Sequence, residues 1–159
     1  MRRRTVVAVD DLPAIGPFTG QPMTIGKGFS GDIDRARVYT KALSEQQIKA
    51  HVDGKNLSDN GLLGDWTFDE LVDGKFPNLA REELVAEMHQ QVRWVKTEEG
   101  GYVRYEGGRV EVPDDPLLNF SRAATLEAWV RKRGRGGLVI DRCRWGTVRG
   151  FRLEIIGHG

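Results

Sequence analysis

The sequence predicts an all-β protein, a two-sheet antiparallel β-sandwich carrying one short α-helix. Three observations predict it. Runs of β-branched, aromatic and alternating residues recur every ~8–12 residues between turn signals, the spacing of sandwich strands. Glycine supplies 20 of the 159 residues, about twice ordinary usage and without a collagen-like period, which reads as many tight turns. One segment, opening at Ser44, carries the clearest helix-start signature.

Taken in chain order, residues 5–9 (TVVAV) are a β-branched strand. Residues 10–20 hold two prolines and two glycines and form a loop. Residues 23–26 are a short strand. Residues 29–39 alternate, with Phe29, Gly31, Ile33, Arg35, Arg37 and Tyr39 on one face and Ser30, Asp32, Asp34, Ala36 and Val38 on the other. Neither set is purely apolar, so this strand need not be buried on one side only. Ser44-Glu45-Gln46-Gln47 fits a capping box, in which the serine hydroxyl accepts from the third helical N–H and Gln47 reaches back. Leu43 and Ile48 occupy the positions of a hydrophobic staple. The helix runs to Val52 and stops before Asp53-Gly54. At about two turns, packing rather than propensity must hold it.

Residues 54–61 are polar and turn-rich, the best linker in the chain. Residues 62–70 form a strand with one apolar face, Leu62, Trp66 and Phe68 opposing Leu63, Asp65, Thr67 and Asp69. Asp73-Gly74 is a turn. Residues 79–95 carry helix formers and read as helix or strand, Val92 and Trp94 favouring strand near the end. From residue 101 onward the signal is all-β. Residues 102–105 are a strand and Gly107-Gly108 is placed for a tight turn into residues 109–112, which Pro113 closes. Residues 125–130 alternate Leu126, Ala128 and Val130 against Thr125, Glu127 and Trp129. Residues 134–137 are a turn, 138–140 a short buried run, and 150–156 the last strand.

Composition bounds the function. Apolar residues are 39% and charged residues 30%, ordinary for a globular chain. With 24 basic and 23 acidic residues the formal net charge is +1, which excludes a whole-molecule basic footprint and argues against nucleic-acid binding. No apolar run approaches the ~18–20 residues of a membrane helix, so membrane insertion is not expected. The single cysteine, Cys143, excludes an internal disulfide and a Cys-rich metal site. Flanked by Arg142 and Arg144, it is a reactive thiolate if its pKa is lowered and a passive thiol otherwise. Met1-Arg2-Arg3-Arg4 looks like the start of a signal peptide, but the apolar stretch after it is shorter than ~7 residues and no cleavage pattern follows. We read no targeting signal in it.

Charge is unevenly spread. Residues 1–130 carry a net −5 and residues 131–159 a net +6. The basic block is Arg131, Lys132, Arg133, Arg135, Arg142, Arg144, Arg149 and Arg152. It reads as the solvated face of a hairpin or as a local surface for polyanions.

Two stretches carry a family resemblance. Residues 23–52 hold Phe29, Gly31, Ile33, Asp34, Tyr39, Ala42, Leu43 and Ser44 in the spacing Phe-x-Gly-x-Ile-Asp-x-x-x-x-Tyr followed by Ala-Leu-Ser and a short helix. This resembles the closing segment of laminin G-like, concanavalin A-like jelly-roll domains. Residues 62–131 resemble the opening half of the same family, through Trp66, Phe68, Asp69 and Glu70, the strand ending at Pro113, and the Thr-Leu-Glu-Ala-Trp-Val run at residues 125–130. The family's ending therefore precedes its beginning. Residues 1–53 are a closing segment, 54–61 a linker and 62–159 an opening segment. Three arrangements fit: one permuted domain over residues 1–159, the tail of one module joined to the head of the next, or a homo-oligomer formed by strand exchange through exposed edges.

The resemblance implies a recognition or adhesion module that binds carbohydrate or a protein partner, and an extracellular or cell-surface setting. A structural spacer or self-assembling unit is the alternative, and a glycosidase-like enzyme a third reading. Relatives often hold calcium at one sandwich edge, so calcium is the candidate cofactor. Asp34, Asp69 and Glu70 are the matching family positions, and they also read as acceptors for backbone N–H groups at turns. Asp32, Asp114 and Asp115 are further acidic candidates. No catalytic set emerges. Asp32 and Asp34 alternate without a third acid, and His51, His89 and His158 have no metal spacing. His51 reads as a cation closing its helix. For ligand binding the best exposed aromatic is Trp145, with Arg142, Arg144 and Arg149 around it for an acidic glycan. Trp66 and Trp129 match core positions of the family and are expected to be buried.

Overall fold

The computed structural model describes residues 3–12, 20–55, 60–120, 122–143 and 150–156. The chain opens with β1 (Arg3–Leu12), β2 (Met23–Ile25) and β3 (Ser30–Tyr39), then the helix α1 (Glu45–Val52). It continues through β4 (Leu62–Trp66), β5 (Lys75–Phe76), β6 (Ala86–Met88), β7 (Val92–Thr97), β8 (Gly100–Glu106) and β9 (Val110–Val112). A single 3₁₀ turn (Pro116–Leu118) leads to β10 (Arg122–Lys132), β11 (Gly137–Cys143) and β12 (Gly150–Ile155). All pairing is antiparallel, and the strands lie in two sheets. The expected all-β sandwich with one helix is what the molecule forms.

The first sheet runs β1-β10-β3-β8-β7, with β4 also on β3; the second runs β12-β11-β2-β9-β6-β5. Strand β3 pairs with β10 along one side, and on its other side with β8 at Ser30 to Ile33 and β4 at Ala36 to Tyr39. Strand β2 lies between β11 and β9. Strands from residues 1–53 are thus interleaved with strands from residues 62–156 in both sheets. Among the linker residues, 56–59 lie outside the described set; Thr40 N–H donates to Gly61 O at 2.8 Å where the chain turns into β4.

A bulge explains the mixed alternation of β3. Arg35 faces Trp129 and Ile33 faces Val130, leaving Asp34 as an extra residue. One inserted residue reverses which face the following side chains occupy. Ile33 points inward before the bulge; Ala36 and Val38 point inward after it, and all three are fully buried. The strand is one-sided on each side of Asp34, and its charged residues share the outward face.

Between the sheets, Leu126, Ala128, Val130, Val103 and Trp66 pack in one core with Met23, Ile25, Val110, Val112, Ile140 and Phe151. The indole of Trp66 donates to Leu84 O at 2.9 Å, so its polar end is satisfied in the interior. Gly26 adopts φ +78° where a Cβ would meet the Tyr105 ring at 2.1 Å, so both backbone and space require glycine there.

One expectation is corrected, and one open reading is resolved. Gly107-Gly108 does not close a hairpin: β8 belongs to the first sheet and β9 to the second, and β8 takes β7 as its hairpin partner. Residues 79–95 contain no helix but β6 and the start of β7. Leu84 and Ala86 are both buried, a period of two that suits a strand and not a helix.

Candidate functional site

The outward face of the first sheet gathers the buried charge. Past the bulge, β3 directs Arg35, Arg37 and Tyr39 outward. Strand β10 directs Thr125, Glu127 and Trp129 the same way, and β4 adds Asp65. The register sets Arg35 opposite Trp129, Tyr39 opposite Thr125, and Arg37 between Glu127 and Asp65. Helix α1 docks on this face. Its capping box is present, with Gln47 N–H donating to Ser44 Oγ at 3.3 Å and Ser44 N–H to Gln47 Oε1 at 2.9 Å. Thr125 Oγ1 accepts from Leu43 N–H and donates to Lys41 O, both at 2.9 Å, which pins the approach to the helix onto β10.

His51, at the end of α1, is buried and stacks on Tyr39 with centroids 5.8 Å apart. Its Nδ1 lies 2.7 Å from Glu127 Oε1. A carboxylate only accepts, so this nitrogen carries the proton. The partner of His51 is therefore this carboxylate. Beside it, Arg35 grips Asp65 with two parallel bonds, Nε to Oδ1 at 2.6 Å and Nη2 to Oδ2 at 2.5 Å. That fork geometry is the strongest form of this pair, and Asp65 holds the Arg35 guanidinium charged above its already high ordinary range despite the opposing effect of burial.

Arg37 is different. It is 5% exposed, with Nε 3.3 Å from Asp65 Oδ1 and Nη1 3.7 Å from Glu127 Oε2. Neither contact is a hydrogen bond, and among the described residues Arg37 Nε and Glu127 Oε2 have no hydrogen-bond partner. Its guanidinium carbon stands 5.3 Å from the centroid of the Trp129 ring, and that of Arg35 stands 5.7 Å away.

An open groove of about 450 Å³ lies here, lined by Arg35, Arg37, Leu62, Asp65, Leu79, Ala80 and Arg81. Its floor is sheet and its far wall is the segment after β5. Asn78 shapes that wall: its Oδ1 accepts from Asp65 N–H at 3.0 Å and Ala80 N–H at 2.9 Å. Leu79 is 66% exposed.

The residues singled out in the sequence fall elsewhere. Trp145, Arg144 and Arg149 lie outside the described residues. Arg142 is not on a surface at all: it is 1% exposed, and its guanidinium donates to Gln21 O, Leu118 O, Asn119 Oδ1 and Asp114 Oδ1. It follows Asp141 on β11 and points into the loop of residues 114–119, which closes over it. Trp129 is not in the core but half-buried on the outward face, because the strand parity that buries Leu126, Ala128 and Val130 turns it out. Burial pushes the Cys143 thiol up, further aided by Asp141, so it is not an activated thiolate.

Of the acidic positions, Asp34 is the bulge residue of β3, Asp69 Oδ1 accepts from Gly101 N–H at 2.9 Å, and Glu70 is exposed. Asp114 is paired with Arg142, and Asp115 Oδ1 caps the 3₁₀ turn through Leu117 N–H at 2.8 Å. Among the described residues no three His, Cys, Asp or Glu side chains gather to hold a metal ion. Among the described residues no helix is long and apolar enough to cross a membrane. The constellation of Arg37, Glu127, His51 and Asp65 was not singled out in the sequence. Its signal was there as two polar alternations, Arg35-x-Arg37 and Thr125-x-Glu127-x-Trp129, which only strand pairing brings together. Comparison with models of known families, with curated proteins and with solved structures found no match.

Proposed function

We propose that this protein is a non-catalytic recognition module that binds carbohydrate across the outward face of its first sheet. The observation that carries this reading is the arginine-lined open groove of about 450 Å³ on the outward face, whose Arg35 and Arg37 lie over the half-buried Trp129 ring. An open groove with a few fixed polar groups beside an apolar wall suits an amphipathic ring-shaped ligand. Leu62 and Leu79 provide apolar wall, and Arg35, Arg37 and Arg81 provide donors. The resemblance of residues 23–52 and 62–131 to laminin G-like jelly rolls supports the same class of function. The two buried carboxylates of this face support a non-catalytic role: both oxygens of Asp65 are taken by Arg35, and Glu127 is fully buried against His51. Asp65, the carboxylate that lines the groove, has neither oxygen free to act as an acid or a nucleophile.

A glycan array, run with and without calcium, tests this. The expected result is retention of a defined set of glycans and a loss of about tenfold or more in affinity for Trp129→Ala, with circular dichroism unchanged. An array without binders, or a Trp129→Ala protein that binds as well as the parent, overturns the reading.

A further inference from the structure

Strand β1 ends the first sheet. Among the described residues its one strand neighbour is β10, in regular register from Arg3 opposite Val130 to Val9 opposite Ala124. A strand with a neighbour on one side turns every second N–H and C=O away from its sheet, where they form a template for another strand. No proline interrupts the ten residues of β1. Its centre, Thr5-Val6-Val7-Ala8-Val9, carries no charge. Its charges stand at the two ends and differ in sign: Arg3 and Arg4 before the centre, Asp10 and Asp11 after it. Charges of one sign along an edge would repel a second copy. Opposite signs at opposite ends do the reverse, because an antiparallel copy brings its acidic end to the basic end of the first.

We propose that β1 is a self-association edge, through which two copies of this chain pair antiparallel about a twofold axis at Val7. In that register Arg4 faces the partner's Asp10, Thr5 the partner's Val9 and Val6 the partner's Ala8, while Arg3 comes to the partner's Asp11. A twofold axis perpendicular to the sheet keeps each residue on its own face, so facing positions share parity. The neighbouring axes of that kind, at Val6 and at Ala8, set the charged positions against uncharged ones; the axis at Val7 pairs both ends. The irregularity of β1 against β10 lies between Val9 and Leu12, so the stretch from Arg4 to Val9 is regular strand. The two first sheets become one continuous sheet, and no element leaves its own chain. A contact of one strand per copy is smaller than a standard protein interface, so association depends on concentration. The inference stands apart from the carbohydrate reading.

Sedimentation equilibrium of the full chain, with charge-reversed variants, tests it. The parent is expected to move from the 17.8 kDa of one copy towards twice that mass between about 1 μM and about 1 mM. Arg4→Asp and Asp10→Arg, each with unchanged circular dichroism, are each expected to weaken self-association about tenfold or more, because like charges then face each other twice per dimer. An equimolar mixture of the two variants is expected to associate at least as well as the parent, since every facing pair is again of opposite sign. Amide exchange at residues 5–9 of the parent is expected to slow over the same concentration range. A parent that keeps the mass of one copy throughout overturns the proposal. So do variants that associate as the parent does, or a mixture that stays at the mass of one copy. Should a variant fail to fold, the parent decides: a doubled mass with exchange at residues 5–9 unchanged overturns the β1 contact.

Discussion

Asp32 sits on β3 with one oxygen on Arg104 Nε and the other on Arg133 Nε, each at 2.8 Å. Burial alone would raise its pKa, but the two arginines outweigh burial and hold the carboxyl below its ordinary range. A lowered folded-state pKa adds stability that is present above the ordinary carboxylate value and is lost as pH falls through the folded one. Asp32→Asn should therefore melt below the parent at pH 7, and the gap should close as pH drops below about 4. Thermal melts of both proteins from pH 2 to pH 8 check this; a gap that is constant across the range contradicts it. Such residue-scale facts were only partly legible. The aspartate was visible as a charge on an alternating strand, but its partners come from β8 and from the chain just after β10. Trp129 was misread for a different reason. Its burial was expected from the family match, although the alternation of residues 125–130 already set it with Thr125 and Glu127, opposite Leu126, Ala128 and Val130.

At the scale of elements, Arg142 ties β11 to the loop of residues 114–119 and to the segment before β2. Its donors reach Gln21, Leu118, Asn119 and Asp114, and Asp114 in turn accepts from Gly20 N–H at 2.6 Å. Burial pulls the guanidinium pKa down and the Asp114 contact pulls it back up. Removing one partner of a buried pair leaves the others unsatisfied. Arg142→Met should cost on the order of 3 kcal/mol by urea unfolding, with the largest loss of hydrogen-exchange protection at residues 114–119. A cost below about 0.5 kcal/mol, the size of a surface substitution, contradicts the clamp. Elements with local signals were legible: the capping box of α1, the strands at 23–25 and 102–105, the alternation of β10. Elements defined by long-range pairing were not. The bulge at Asp34 needs β10 to be seen, and Gly107-Gly108 signals a turn without saying that the chain crosses to the other sheet. Leu84 and Ala86 carry a strand period too short to overrule the helix formers around them.

For the whole molecule, the order of the segments matters more than any one strand. The family resemblance left three arrangements open: a single permuted body, two joined half-modules, or strand exchange between copies. In the structure β3 has partners from the same chain on both sides, and β2 lies between β9 and β11. The core draws Ile33 and Met23 together with Val103 and Leu126, so neither segment has an interior of its own. The outward groove depends on this interleaving, since Arg35 and Arg37 come from one segment and Asp65, Leu79 and Arg81 from the other. Amide hydrogen exchange on the full chain, at the 17.8 kDa mass of one copy, tests the claim most directly. The account predicts that residues 31–39, 103–105 and 124–131 share the slowest exchange and open together in one cooperative event. Residues 31–39 exchanging as a separate unit, orders of magnitude faster than residues 124–131, would contradict it.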